Sequence, residues 1–176
     1  MNHRRLEPPP PELLTQARSA RTVLILTGAG MSAESGVPTF RDESAGLWAH
    51  YSPEAMATEE GWRTDPSLVW AWYLWRIGIV RSTSPNAGHS ALARWAALAG
   101  GALPLQRLDV VTQNIDDLHE RAGSEVLAHL HGRLDRFHCI DCGRPGDPDL
   151  SAASREPDLR VTPSACAACD GDRVLR

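Results

Sequence analysis

The sequence of 176 residues predicts an α/β fold built around a parallel sheet. Three short apolar runs, at residues 22–26, 107–112 and 126–130, have the length and composition of strands. Helical patterns separate these runs, and strands that alternate with helices favour parallel pairing through crossover connections. From residue 137 onward Cys, Gly, Pro and Asp dominate. That composition indicates a small loop-rich module beside the sheet, rather than further strands.

Four helices are expected around this sheet, and one of them has a clear start signal. Asp65 is a helix-capping acid, and Pro66 follows it at the position where a helix tolerates proline. Residues 42–64 show no clear periodicity, so we expect a loop there with room for one helical turn, and such long inserts are usually functional. The expected helices are residues 12–20, 68–81, 88–99 and 115–121.

Composition and charge exclude several classes of protein. Hydrophobic residues make up 42% of the chain and charged residues 23%, and no apolar run reaches the roughly 18 residues that a membrane span needs. The net charge of -4 gives no broad basic field for a nucleic-acid backbone. Arg4 and Arg5 are followed by prolines and not by the apolar stretch of a secretory signal. We therefore expect a cytoplasmic protein with no nucleic-acid and no membrane partner.

The four cysteines form two Cys-x-x-Cys pairs, Cys139 with Cys142 and Cys166 with Cys169. In a reducing compartment such pairs hold a metal ion more often than a disulfide. Four thiolates complete the tetrahedral shell of Zn²⁺ and leave no open position for water, so the pattern predicts one structural zinc ion. A redox-active pair and free structural thiols are the alternatives, although the βαβ context of a redox pair is lacking.

A glycine-rich turn follows the first predicted strand. Gly28, Gly30 and Ala33 fit the pattern G-x-G-x-x-A, in which the glycines let backbone amides approach a pyrophosphate. The same pattern is equally typical of a tight turn without a ligand. A hydride-transferring dehydrogenase would also need a second strand that ends in an acid about 20 residues further on. The irregular segment at residues 42–64 occupies that place, so a dehydrogenase is disfavoured.

The longer string at residues 28–41, GAGMSAESGVPTFR, closely resembles the signature of the sirtuin family. Three further blocks agree with that family in order and spacing: TQNIDDLH at residues 112–119, LHG at residues 130–132, and the paired cysteines. The resemblance implies a Rossmann-like sheet with a small helical insert and a zinc ribbon. It also implies that NAD is a co-substrate for removing acyl groups from protein lysines, with acylated proteins or peptides as partners.

Carried over position by position, the resemblance assigns two stretches of the chain to NAD. Phe40 also fits a core residue and Arg41 a solvated charge, and Asn114 and Asp116 also fit a cap of the following helix. The implied NAD-binding residues are Gly28, Ala29, Gly30, Ser32, Ala33, Thr39, Phe40, Arg41, Gln113, Asn114, Ile115 and Asp116.

The resemblance also assigns the catalytic base to His131. In the family, the carbonyl oxygen of the acyl-lysine attacks the ribose of NAD as nicotinamide leaves, and a base then activates a ribose hydroxyl that captures the acyl group. Histidine suits this task because its ordinary pKa lies near neutrality. His119 and His129 lie close by in the sequence, and Gly132 together with the nearby cysteines singles out His131.

Two residues of the predicted helix at residues 68–81 bear on which acyl group is removed. Tyr73 and Arg76 are three residues apart and therefore share one helix face. The pair resembles the Tyr-x-x-Arg pair with which desuccinylase and demalonylase sirtuins bind the carboxylate of the acyl group. Such members also tend to carry a threonine at the position of Thr39. An arginine fork and a tyrosine hydroxyl can bind a carboxylate together. The alternative is that Tyr73 packs among tryptophans while Arg76 points into water.

Three parts of the chain are expected. Residues 1–43 and 84–133 form the NAD-binding part, residues 44–83 a helical and cofactor-loop insert, and residues 134–176 the zinc-binding module. Family members normally continue beyond the second cysteine pair, so we expect a C-terminally truncated chain with an incomplete sheet. Two other functions stay open: a catalytically silent zinc-binding interaction module and an NAD-dependent ADP-ribosyltransferase.

Overall fold

The computed structural model describes residues 8–39, 51–52, 56–101, 104–156 and 158–169. Its main sheet has three parallel strands, β1 (Thr22–Thr27), β2 (Arg107–Thr112) and β3 (Val126–His129), with β2 in the centre. Thr27 of β1 and His129 of β3 both pair with Thr112, so the three strands end at one level of the sheet. The α/β class and the parallel sheet are confirmed.

Six helices lie in the described ranges: α1 (Pro11–Ser19), α2 (Ala29–Ala33), α3 (Glu59–Thr64), α4 (Pro66–Arg81), α5 (Ala87–Ala96) and α6 (Leu118–Arg121). The short helix α2 was not predicted, and α3 lies in the segment at residues 42–64, where a loop with room for one helical turn was expected. The predicted helix at residues 88–99 ends earlier, and Gly100 follows with the left-handed φ of 75°. The predicted helix at residues 115–121 begins only at Leu118, because the preceding residues form a loop.

Helix α4 packs against the cysteine-containing module and against α6. It begins as predicted: Pro66 is its first residue, and the side chain of Asp65 accepts a hydrogen bond of 3.1 Å from the amide of Leu68. Trp70 is buried and meets the ring of Phe137 edge to face, with 6.0 Å between the centroids. The helix is apolar on most of its circumference because it is buried against neighbours on more than one side.

The two faces of the main sheet differ in burial. Val23 and Ile25 of β1 pack with Leu108 and Val110 of β2 in one core cluster. On the other face Leu24 and Leu26 are each 63% exposed, among the described residues. Although the sequence of β1 is apolar throughout, only one face of this strand packs into a core cluster among the described residues.

The module after residue 137 is loop-rich, as predicted. Its regular structure in the described residues is one antiparallel pair of two-residue strands, β4 (Phe137–His138) and β5 (Pro145–Gly146). Among the helices of the described ranges, none combines the length and the hydropathy that crossing a bilayer requires.

The packing of α4 on this module depends on Gly78. A Cβ atom at that position would lie 2.4 Å from the backbone carbonyl carbon of Ser154, which is far inside van der Waals contact. Alanine favours a helix over glycine by about 1 kcal/mol, but overpacking of a rigid contact costs about 1–3 kcal/mol. The clash is therefore the larger effect at this position.

We predict that Gly78→Ala lowers the free energy of unfolding, measured by urea titration with tryptophan fluorescence. The matched control is Gly30→Ala in α2, where an added Cβ meets nothing within 4 Å. That control should leave the stability unchanged or slightly higher. A Gly78→Ala protein that is as stable as the control would mean that the chain near Ser154 does not pack on the helix.

Candidate active site

A cavity of about 790 Å³ lies where the three parallel strands end. The segments that follow β1, β2 and β3 each contribute to its wall, and so do α4 and the start of the cysteine module. Open parallel sheets bind their ligands at this edge, and the volume is in the range of small-molecule sites. The wall includes Ala29, Ser32, Thr39, Trp72, Tyr73, Arg76, Gln113, Asn114, Ile115, Asp116, Leu130, His131, Gly132, Arg133, Arg136 and His138.

A buried hydrogen-bond network joins the segment after β1 to the segment after β2. The amide nitrogen of the Asn114 side chain donates to the carbonyl of Gly28 at 3.0 Å and to the hydroxyl of Ser32 at 2.9 Å. That hydroxyl donates in turn to Oδ2 of Asp116 at 2.8 Å, and Oδ1 of Asp116 accepts from the amide of Leu118 at 3.1 Å. Asp116 thus helps to start α6, as one alternative expected, whereas the Asn114 side chain points to the first loop.

A second network lies behind the cavity and contains His119. The hydroxyl of Thr27 donates to that of Thr112 at 2.8 Å and lies 3.0 Å from Nε2 of His119. The His119 ring is 1% exposed, and its centroid is 4.8 Å from that of His89. Burial lowers the pKa of His119, and the neighbouring His89 lowers it further, against the opposing charges of Asp116 and Glu120. His119 is therefore a neutral buried histidine.

The three histidines that compete in the sequence have different surroundings. His119 is buried, as described above. His129 has Nδ1 2.8 Å from the carbonyl oxygen of Asn114 and Nε2 2.8 Å from a carboxylate oxygen of Glu120. His131 is exposed and lines the cavity. It lies in a tight turn whose next residue, Gly132, has a φ of 80°, a conformation that side chains rarely adopt.

The residues assigned to NAD by resemblance fall into three groups. Those that line the cavity are Ala29, Ser32, Thr39, Gln113, Asn114, Ile115 and Asp116. Gly28, Gly30 and Ala33 do not line it, although Gly28 belongs to the network with Asn114. Phe40 and Arg41 lie outside the described residues.

One residue that supports this site was missed in the sequence. Asn86 caps α5 by accepting hydrogen bonds from Gly88 and His89, and its side-chain nitrogen donates to the carbonyl of Met31 at 2.8 Å. It thereby holds α2 beside the cavity. The signal was the dipeptide Pro85-Asn86 before a helix, which indicates a cap but not its second contact.

Tyr73 and Arg76 both line the cavity, on the wall formed by α4. The guanidinium carbon of Arg76 is 5.1 Å from the centroid of the Trp72 ring, a cation–π distance. Burial lowers the pKa of Arg76, and the charges of Tyr73 and Asp116 offset only part of that effect. Arg76 is largely withdrawn from water, which contradicts the alternative of a solvated side chain.

The four cysteines come together as the spacing predicts. The Sγ atoms of Cys139 and Cys169 are 3.7 Å apart, those of Cys142 and Cys166 are 3.8 Å apart, and all four lie within 4.8 Å of one another. Four thiolates around Zn²⁺ at 2.3 Å stand about 3.8 Å apart in a tetrahedron. Backbone hydrogen bonding from Cys142, the largest cause, lowers the pKa of Cys139 to about 7 against the effect of burial. The set fits a structural zinc ion.

Comparison with known proteins agrees with this arrangement. The model of the Sir2 family, the family of the sirtuins, matches residues 28–175. The chain is 44% identical over 171 residues to an NAD-dependent protein deacylase of Corynebacterium glutamicum, covering 97% of the chain and 64% of that protein. The crystal structure of a Sir2 homolog–NAD complex superposes with a TM-score of 0.75 at 38% identity, covering 93% of this chain and 59% of that one.

A triple mutant of Sir2 homologues bound to 2'-O-acetyl ADP ribose also has a TM-score of 0.75, at 37% identity, with 95% of this chain and 61% of that chain covered. The chain therefore spans about three fifths of the length of the relatives that it matches. The family match covers well over half of the chain, and the fold agrees with it. The chain belongs to the Sir2 family.

Proposed function

We propose that this protein uses NAD to remove acyl groups from protein lysines, releasing nicotinamide and an O-acyl-ADP-ribose. One observation carries the proposal: a single cavity is lined by residues from all three predicted sets, those for NAD, for the base and for the acyl group. The relatives named NAD-dependent protein deacylase support it. The relatives are longer than this chain, so their activity is a hypothesis for it.

The NAD-binding role rests on the segments after β1 and β2. Ser32, Asn114 and Asp116 are buried polar residues in fixed orientations, and Gln113 adds an amide to the same wall. Such groups can bind ribose hydroxyls and a carboxamide without rearranging. When bound, NAD supplies the bond to nicotinamide whose cleavage drives the transfer of the acyl group.

His131 is proposed as the general base that takes a proton from a ribose hydroxyl. A base needs access to the substrate and a nitrogen that can accept a proton. His119 is buried, and both ring nitrogens of His129 lie at hydrogen-bond distance from oxygen atoms. Of these three histidines, His131 meets both requirements.

Succinyl- or malonyl-lysine is the proposed preferred substrate, with acetyl-lysine tolerated. Arg76 carries a positive charge at a place where burial disfavours it, so a bound carboxylate would stabilise the charged form. Tyr73 lies one helical turn away on the same wall and can donate a further hydrogen bond. The wall formed by α4 therefore offers an anion site in the cavity.

We also propose the division of the chain made above: an NAD-binding part at residues 1–43 and 84–133, an insert at 44–83 and a zinc-binding module at 134–176. A cytoplasmic location is proposed because paired thiols stay reduced there and bind metal. Acylated proteins are the proposed partners, without nucleic acid or membrane.

The test is nicotinamide release from NAD with acetyl, succinyl and malonyl peptides, run on the 176-residue chain and on a version extended to the length of its relatives. Peptide-dependent release with a deacylated peptide supports the proposal. Release that leaves ADP-ribose attached to a protein, seen by mass spectrometry, would indicate an ADP-ribosyltransferase. No release from either protein would favour the silent zinc-binding module.

For the base, we predict that His131→Ala lowers kcat by about 10²-fold to 10⁴-fold, the usual effect of losing a general base. The melting temperature should not change, because the ring is exposed at the cavity. Kinetics at saturating NAD and peptide check this. A variant with a nearly normal rate would mean that His131 is not the base.

For the acyl preference, we predict that Arg76→Met removes the selectivity for succinyl over acetyl peptide, measured as the ratio of kcat/KM values. The matched control is Arg81→Met, which removes an exposed arginine from the same helix. The control should keep the selectivity of the wild type. An unchanged ratio of kcat/KM values in Arg76→Met would mean that Arg76 does not contact the acyl group.

For the metal, we predict one zinc ion per chain by elemental analysis and its loss in Cys166→Ser. Metal binding should be coupled to folding of the module, so the contact of Phe137 with Trp70 should loosen and tryptophan fluorescence should change. Ala165→Ser is the matched control, since it adds the same side chain at an exposed neighbour. An intact module without zinc would contradict this prediction.

A further inference from the structure

A cluster of charged groups lies directly behind the cavity wall that carries His131. Glu120 of α6 has its Oε1 atom 2.8 Å from Nε2 of His129, and the same oxygen accepts a hydrogen bond from the guanidinium of Arg133. Arg133 is also held by Asp135 through two hydrogen bonds of 2.7 and 2.9 Å. The carboxylate of Glu120 thus contacts the chain on both sides of His131, two residues before it and two residues after it.

His129 connects this cluster to the NAD segment. Its Nδ1 atom is 2.8 Å from the carbonyl oxygen of Asn114, and its Nε2 atom faces Glu120. A carbonyl oxygen and a carboxylate can only accept hydrogen bonds, so both contacts are hydrogen bonds only when each ring nitrogen carries a proton. The guanidinium of Arg133, 3.3 Å from Nε2, is a cation beside the same carboxylate. One carboxylate therefore faces both a guanidinium and an imidazole nitrogen.

The link from His129 to Asn114 stands between two backbone hydrogen bonds. The amide of Leu130 donates to the carbonyl of Thr112 at 2.8 Å, and the amide of Leu134 donates to the carbonyl of Ile115 at 2.8 Å. The backbone bonds fix the two ends of the turn that contains His131. The side chain of His129 adds a contact at Asn114, which lies between Thr112 and Ile115 and lines the cavity.

The contact between Glu120 and His129 depends on the charge of Glu120, because the carboxylate is partly buried. Burial opposes ionisation of Glu120, but hydrogen bonding to His129 and the charges of His129 and Arg133 outweigh it and lower the pKa of the carboxyl group. The Oε2 atom is buried without a hydrogen-bond donor among the described residues. The carboxylate therefore depends on the donors at Oε1, and these donors depend on it.

We propose that Glu120 is a positioning residue, which holds the turn of His131 against the NAD segment at Asn114 through a His129 ring that donates from both nitrogens. Neither Glu120 nor His129 lines the cavity, whereas Asn114, His131 and Arg133 do. The role in catalysis rests on the proposed function, since it assumes that His131 is the base. The arrangement of the turn does not depend on that assumption.

The experiment compares Glu120→Gln and Glu120→Ala with wild type in two measurements. The glutamine keeps the shape and one acceptor but removes the charge. Glu125→Gln is the matched control, because Glu125 is an exposed carboxylate nearby, in the segment between α6 and β3. The first measurement is nitrogen NMR of histidine side chains, with His129 assigned by the loss of its signals in His129→Gln. The second is kcat and KM for NAD and for an acyl peptide.

We expect two protonated ring nitrogens for His129 in wild type and in the control, and one in both Glu120 variants. Hydrogen exchange at the amides of residues 130–133 should become faster in the variants. Because misplacing a catalytic group by about 1 Å can cost 10²-fold in rate, kcat should fall by about tenfold to a hundredfold while KM for the peptide changes little. The control should match wild type in every measurement.

A His129 ring with one protonated nitrogen in wild type, or variants with unchanged NMR signals and amide exchange, would overturn the proposal. Changed spectra with an unchanged kcat would overturn the positioning role. A wild-type protein that releases no nicotinamide would instead refute the proposed function, and the NMR and exchange data would then decide whether Glu120 holds the turn.

Discussion

The site depends on the side chain of Asn114, which bonds to both Gly28 and Ser32 and so ties the loop after β1 to the loop after β2. Parallel strands end side by side, but nothing in their ladder fixes the loops beyond them. Buried polar groups must be paired, and a missing partner costs about 1–3 kcal/mol. The network through Ser32 to Asp116 gives each of these buried side chains a partner and so favours one arrangement of the two loops. The cavity lies between segments that this network holds in place.

Three histidines that are close in the sequence have different surroundings and therefore suit different roles. His119 is buried beneath the strand ends and supports the sheet. His129 lies behind the cavity wall, and its ring joins Asn114 to Glu120. His131 is exposed at the cavity, where proton transfer requires access. The same side chain thus serves packing, positioning and proposed chemistry, and only its surroundings separate these roles.

Much of this could be predicted from the sequence, because the signals are local. Apolar runs predicted the strands, the cap at Asp65 predicted the start of α4, and two cysteine pairs predicted the cluster of thiols. The rest required tertiary structure. The second contact of Asn86 and the cluster at Glu120 join segments that are separated in the chain, and the short helix α2 bends the chain locally. Hydrophobic periodicity carries no signal for such features. The exposed face of β1 likewise depends on what packs there, which an apolar run does not reveal.

The most direct test of this account is an NMR titration of the isotope-labelled chain with NAD. We predict that amide shifts change mainly in three segments that converge on the cavity, at residues 29–32, 113–116 and 130–133. Replacing Asn114 by alanine should weaken binding and remove the coupled change at residues 29–32. Binding without shift changes in these segments, or binding that is unaffected by the loss of Asn114, would contradict the claim that this network forms the NAD site.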